Sequence, residues 1–141
     1  MIVLDTNIVS EAFRIEPNVN VRAWYDGQAL EDLYLCTPVL AELRYGVERL
    51  EAGAQRNRLE ELVQHIEDDV FLDRILPVDR IAAHEFGRIL AARNRRGRPI
   101  STMDALIGAV ALSHGAAVAT RDVSDFEGIG LELIDPFTED V

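Results

Sequence analysis

Apolar runs of strand length alternate along this chain with segments whose apolar residues recur at helical spacing, and that alternation leaves few folds open. Met1–Leu4, Leu33–Cys36, Ala117–Ala119 and Leu131–Ile134 read as buried strands, with Arg74–Leu76 as a shorter fifth candidate. Between them, Thr37–Leu50 has apolar residues at 39, 40, 43, 47 and 50, with Thr37 placed as N-cap, Pro38 at the first helical position and Gly53 beyond its end. Arg56–Leu72 repeats the spacing at 59, 62, 63 and 66, and Arg80–Arg95 at 82, 86, 89 and 90, while Val19–Tyr25 is a shorter piece. Thr102–Ser113 is apolar nearly all round and rich in small residues, which predicts a helix buried on several sides and closed by Gly115. Strands interleaved with helices predict a three-layer α/β/α domain on a central parallel sheet.

A chain of 141 residues that is 48% hydrophobic has room for one such domain, residues 1–141, with a continuous core. Cys36 is the single cysteine, so no internal disulfide can form, and a buried apolar thiol in a reducing compartment is the expectation. The opening Ile-Val-Leu-Asp lacks the basic and apolar regions of a signal peptide, and Ala105–Ala119, broken by Ser113 and His114, falls short of a bilayer span. A cytoplasmic protein without membrane attachment is expected.

The 14 basic residues stand against 25 acidic ones, for a net charge of −11, and all of the basic residues are arginine. The absence of lysine removes Schiff-base chemistry and the P-loop lysine from the possible mechanisms. The acidic excess argues against nucleic-acid binding by overall charge, so any nucleic acid must be held locally or through a metal.

Several acids fall where parallel sheets gather function, at the carboxyl ends of strands. Asp5 directly follows the first strand, beside Thr6 and Asn7, although an Asp there can also simply cap the next helix. Glu42 lies on the flank of an apolar helical stripe, where a solvated glutamate is out of place. Ser101-Thr102-Met103-Asp104 matches a capping box, a structural alternative for Asp104. Asp122 follows the strand that ends near Thr120, and it or Asp125 can equally serve an Asx turn or a cap. Four acids in one crevice repel one another unless a cation neutralises them, and the hard ions Mg²⁺ or Mn²⁺ suit carboxylate oxygens. A metal so bound can lower the pKa of an attacking water and stabilise charge on a phosphodiester. No zinc-type cluster competes, because Cys36 is alone and His65, His84 and His114 are scattered over separate helices.

Met1-Ile-Val-Leu-Asp-Thr-Asn, Ala41-Glu42-Leu43-Arg44-Tyr45-Gly46, Asp104-Ala105-Leu106-Ile107-Gly108-Ala109 and Ala119-Thr120-Arg121-Asp122-Val123-Ser124-Asp125-Phe126 occur in that order. With these blocks the chain resembles the PIN-domain ribonucleases, and within them the VapC/FitB-like toxins of type II toxin–antitoxin pairs. The resemblance implies that Asp5, Glu42, Asp104 and Asp122 form a catalytic, metal-holding acidic quartet, with Thr6, Asn7 and Thr120 as neighbouring polar groups. It further implies a five-stranded parallel sheet, Mg²⁺ or Mn²⁺, endonucleolytic cleavage of RNA, a homodimer, and a DNA-binding antitoxin as inhibitor and hetero-oligomeric partner. No metal role is assigned to Asp125.

Arg93, Arg95, Arg96 and Arg98 form the one dense basic run. They can grip phosphates by bidentate hydrogen bonds, or merely stabilise a helix carboxyl terminus. Trp24 and Tyr45 can in principle stack on bases, but their helical spacing favours core or dimer packing. Two other classes remain: an aspartyl phosphotransferase using Asp5 as nucleophile, opposed by Asn7 and the lack of lysine, and a non-catalytic module that binds a structural ion.

Overall fold

In a computed structural model that describes residues 1–138, strands β1 (Ile2–Leu4), β2 (Leu33–Cys36), β3 (Ile75–Leu76), β4 (Ala117–Ala119) and β5 (Leu133–Ile134) form one sheet. Its order is β3-β2-β1-β4-β5, and every pairing is parallel. The connecting helices are α1 (Thr6–Ala12), α2 (Val19–Asp26), α3 (Thr37–Glu48), α4 (Ala54–His65), α5 (Arg80–Arg95), α6 (Thr102–Ser113) and α7 (Val123–Phe126). Parallel strands need helical crossovers, which cover the sheet and make its strands apolar throughout. Val3, Leu4, Leu33, Leu35, Cys36, Val118 and Ala119 are accordingly buried. No helix among the described residues is long and apolar enough to cross a membrane.

Several boundaries differ from the sequence expectation. The expected strand Leu131–Ile134 shrinks to Leu133–Ile134, because the three-residue β4 offers only Val118 and Ala119 as partners. Thr37 is the first helical residue of α3 and not its side-chain cap: Cys36 takes the cap position, and the Thr37 hydroxyl oxygen accepts from the Val78 N–H at 3.3 Å. The helix expected over Arg56–Leu72 runs as α4 only to His65 and then widens into a π turn, Ile66–Val70, closed by the Phe71 N–H donating to the Ile66 carbonyl at 3.0 Å. Ile66 and Phe71 are both buried. In a regular α-helix residues five apart point roughly 140° away from each other, so only the wider turn brings both into the core.

The end of α6 matches the sequence expectation. Gly115 adopts φ 63, and the N–H groups of Ala116 and Gly115 donate to the carbonyls of Ala111 and Leu112, the paired bonds of a Schellman motif. This stops α6 so that β4 starts at Ala117 beside Ile2.

The strand order places the functional crevice. From β1 the chain builds outward through β2 and β3, then crosses back to lay β4 and β5 on the other side. The direction of winding therefore reverses between β1 and β4, and at such a switch point the loops leaving the two strands part to open a crevice. Asp5 leaves β1 there, and Thr120 and Asp122 leave β4.

Candidate active site at the sheet switch point

Asp5 is the centre of the site. Its backbone N–H donates to the Ala119 carbonyl at 2.9 Å, continuing the β1–β4 ladder by one residue, and its side chain caps α1 by accepting from the Thr6 N–H at 2.7 Å. Capping occupies Oδ1 alone, so the capping and crevice roles expected of Asp5 are compatible. Oδ2 accepts from the Thr120 hydroxyl at 2.8 Å and from Asn7 Nδ2 at 3.3 Å. Thr120 is fully buried and Asp5 is only 5% exposed.

Glu42 and Asp122 are joined to this centre by the predicted polar neighbours. The Thr6 hydroxyl donates to Glu42 Oε1 at 2.7 Å, tying α1 to the half-buried Glu42 of α3. Asn7 Nδ2 also donates to Asp122 Oδ2 at 3.1 Å, while its Oδ1 accepts from the Arg121 N–H at 3.1 Å. The Thr120 hydroxyl oxygen accepts in turn from the Asp122 N–H at 3.0 Å. Asp104 stands on the first turn of α6, where its N–H donates to Ser101 Oγ at 3.1 Å. The helix cap thus runs through the backbone N–H of Asp104, and Ser101 also lies beside its carboxyl.

Burial is the main cause that holds the Asp5 carboxyl above its ordinary range; the charges of Glu42 and Asp122 push the same way, and hydrogen bonds from Thr120 and Thr6 offset part of it. Asp104 is also raised, by burial first and then by the charge of Asp5, with smaller contributions from Asp125 and Asp122 against an opposing bond from Ser101. Asp5, Glu42, Asp104 and Asp122 therefore share one electrostatic neighbourhood. Burial drives the Cys36 thiol, beneath Asp5 and Glu42, up to about 12, as expected of an inert core cysteine.

The donor set fits a hard divalent cation. It consists of carboxylate and hydroxyl oxygens, and among the described residues none of the four acids pairs with an arginine, although Arg44, Arg56 and Arg22 all pair with acids elsewhere. Among the described residues, no three acids, histidines or cysteines are grouped so as to enclose an ion by themselves. His65, His84 and His114 are exposed and lie on separate elements or helix ends. A groove of about 630 Å³ runs beside Glu42 and Thr6, lined also by Tyr45, Arg49, Leu59 and Met103.

The arginine run separates into different tasks. Arg93 is buried, and its guanidinium donates to three backbone carbonyls, so the structure corrects its expected place among the RNA-gripping residues. Arg96 is exposed but donates to the Gly128 carbonyl at 2.8 Å. Arg98 lies 3.9 Å from Glu127, and Arg95 is exposed on the last turn of α5. Trp24 packs against the core, whereas Tyr45, expected in the core or a dimer contact, is 70% exposed on this chain. Arg121, between Thr120 and Asp122, reaches the site only through its backbone N–H to Asn7, and its guanidinium lies 4.7 Å over the Phe137 ring.

Known proteins resemble this chain in both sequence and fold. The PIN domain family profile matches residues 2–130. The VapC ribonuclease Y4jK of Sinorhizobium fredii is 39% identical over 137 residues, covering 97% of this chain and 98% of the relative. Toxin FitB of Neisseria gonorrhoeae is also 39% identical over 137 residues, covering 97% of this chain and 99% of that protein. A solved structure of FitAB bound to an IR36 DNA fragment superposes with a TM-score of 0.92 at 37% identity, over 100% of this chain and 99% of the matched chain.

Proposed function

The chain belongs to the PIN-domain family, and from that premise we propose that it is a metal-dependent endoribonuclease acting as the toxin of a toxin–antitoxin pair. The observation that carries the proposal is the buried Asp5 at the switch point, in one electrostatic neighbourhood with Glu42, Asp104 and Asp122, none of which pairs with an arginine among the described residues.

In this reading Asp5, Glu42 and Asp104 hold Mg²⁺ or Mn²⁺, with Asp122 beside them. Such an ion supplies a more acidic attacking water and offsets the charge that develops on the phosphodiester. The chain's own contribution is orientation. The Thr120 hydroxyl fixes Oδ2 of Asp5, the Thr6 hydroxyl fixes Glu42, and Asn7 spaces Asp5 from Asp122. Arg95 and Arg98, both exposed, supply local positive charge for RNA on a chain of net charge −11. A nucleophilic role for Asp5 is opposed by its burial and by the hydrogen bonds on both of its oxygens.

The similarity to toxin FitB and to the FitAB complex with DNA supports an antitoxin partner that binds DNA; a toxin homodimer within that hetero-oligomer is part of the same proposal. The test is cleavage of RNA by purified protein. Excess chelator should abolish it and Mg²⁺ or Mn²⁺ restore it. Full activity in excess chelator would overturn the metal reading and direct attention to the histidines.

A further inference from the structure

Arg93 occupies the last turn of α5 and is 4% exposed, yet among the described residues it faces no carboxylate. Its Nε donates to the Arg98 carbonyl at 2.6 Å, and its Nη1 donates to the carbonyls of Asp125 at 3.0 Å and Glu127 at 3.1 Å. Burying a cation with only neutral partners is unfavourable relative to an apolar side chain of similar size. What arginine alone provides here is a rigid planar fork that reaches two chain segments at once.

Both segments lead to acids of the site. Arg98 begins the loop to Ser101, whose hydroxyl starts α6 and places Asp104. Asp125 and Glu127 form the carboxyl end of α7, whose amino end is Asp122. That four-residue helix has no side-chain cap of its own. It is fixed at its amino end by Asn7 and Thr120, and at its carboxyl end by Arg93.

We propose that Arg93 is a positioning residue that clamps the loop before α6 to the end of α7, and so sets the spacing between Asp104 and Asp122. The clamp is a matter of geometry; only its purpose, spacing oxygens for a divalent ion, rests on the ribonuclease reading above. Through Arg93, α5 serves the site without touching it.

The test compares wild type with Arg93→Met, which keeps an apolar stem, and Arg93→Lys, which keeps the charge but not the fork. Amide exchange is followed at Asp104 and Asp125, whose N–H groups bond to Ser101 Oγ and the Asp122 carbonyl, and at Leu35 and Val118 in the sheet. Protection at Asp104 and Asp125 should fall about tenfold or more with the sheet amides unmoved, and Mn²⁺ affinity, read by electron paramagnetic resonance, should weaken by about 10- to 100-fold, the usual range for residues that orient metal ligands. Val21→Ala, buried in α2 away from both the clamp and the acids, supplies the control: it should lower the melting temperature and leave Mn²⁺ affinity unchanged. Unchanged exchange at the two amides in a folded variant, or wild-type Mn²⁺ affinity in both variants, would overturn the proposal. If Arg93→Met does not fold, Arg93→Lys decides by the same readings. If wild type itself binds no Mn²⁺, the metal reading fails, and the exchange measurement alone decides the clamp.

Discussion

Asp5→Asn will reduce RNA cleavage by more than about a hundredfold while leaving the domain folded. Residues that merely orient metal ligands are worth about 10- to 100-fold, and Asp5 is placed to be a ligand itself, so its loss should exceed that range. The fold should survive, because an asparagine oxygen can still accept the Thr6 N–H that starts α1, and the substitution removes a charge that is disfavoured chiefly by burial and further by Glu42 and Asp122. Asp104→Asn should behave alike. Its cap to Ser101 runs through the backbone N–H, which the substitution leaves in place. Single-turnover cleavage together with thermal melting separates the outcomes. Near-normal cleavage by folded Asp5→Asn would remove it from the chemistry, and an early-melting but active Asp104→Asn would assign that carboxylate to the helix instead.

The second large effect concerns stability. Asp5 and Asp104 have folded-state pKa values above the ordinary 3.8, so the folded state binds their protons more tightly than the unfolded chain does. The stability they contribute is complete below that ordinary value and is lost as pH rises through their raised folded values. Metal-free protein should therefore carry an electrostatic penalty at neutral pH, which a cation at the acids relieves. A ligand at about 100 times its Kd adds roughly 2.7 kcal/mol, which for a domain of this size raises the melting temperature by on the order of 10 °C. Mn²⁺ at pH 7 should produce that rise in wild type and little of it in Asp5→Asn. The metal-free Asp5→Asn protein should also lose less stability than wild type between pH 4 and neutrality. An equal rise with Mn²⁺ in both proteins would locate the ion elsewhere.

Much of this arrangement is legible in the amino-acid sequence, for identifiable reasons. Buried parallel strands are apolar throughout, so Met1–Leu4 and Ala117–Ala119 announce themselves, and Gly115 marks the end of α6 because its left-handed conformation suits glycine. Acids placed directly after such strands can then be assigned to one crevice. The features that sequence patterns do not reveal depend on contacts between distant segments. Whether Thr37 caps its helix is decided by Val78, and the π turn after His65 by the need to bury Ile66 and Phe71 together. Arg93 is hidden in a basic run, although it extends the inward stripe of Ala82, Phe86 and Ile89 by one more helical step. That spacing is the available signal, and it marks Arg93 as the inward-facing arginine among solvent-facing ones.

The most direct test of the central claim is to locate Mn²⁺ by anomalous diffraction in crystals of the wild-type protein that cleaves RNA when redissolved. The account predicts an ion at the switch point, bound by carboxylate oxygens of Asp5 and at least one of Glu42 and Asp104, and missing from isomorphous Asp5→Asn crystals. An ion bound only elsewhere on the chain, with cleavage intact, would contradict it.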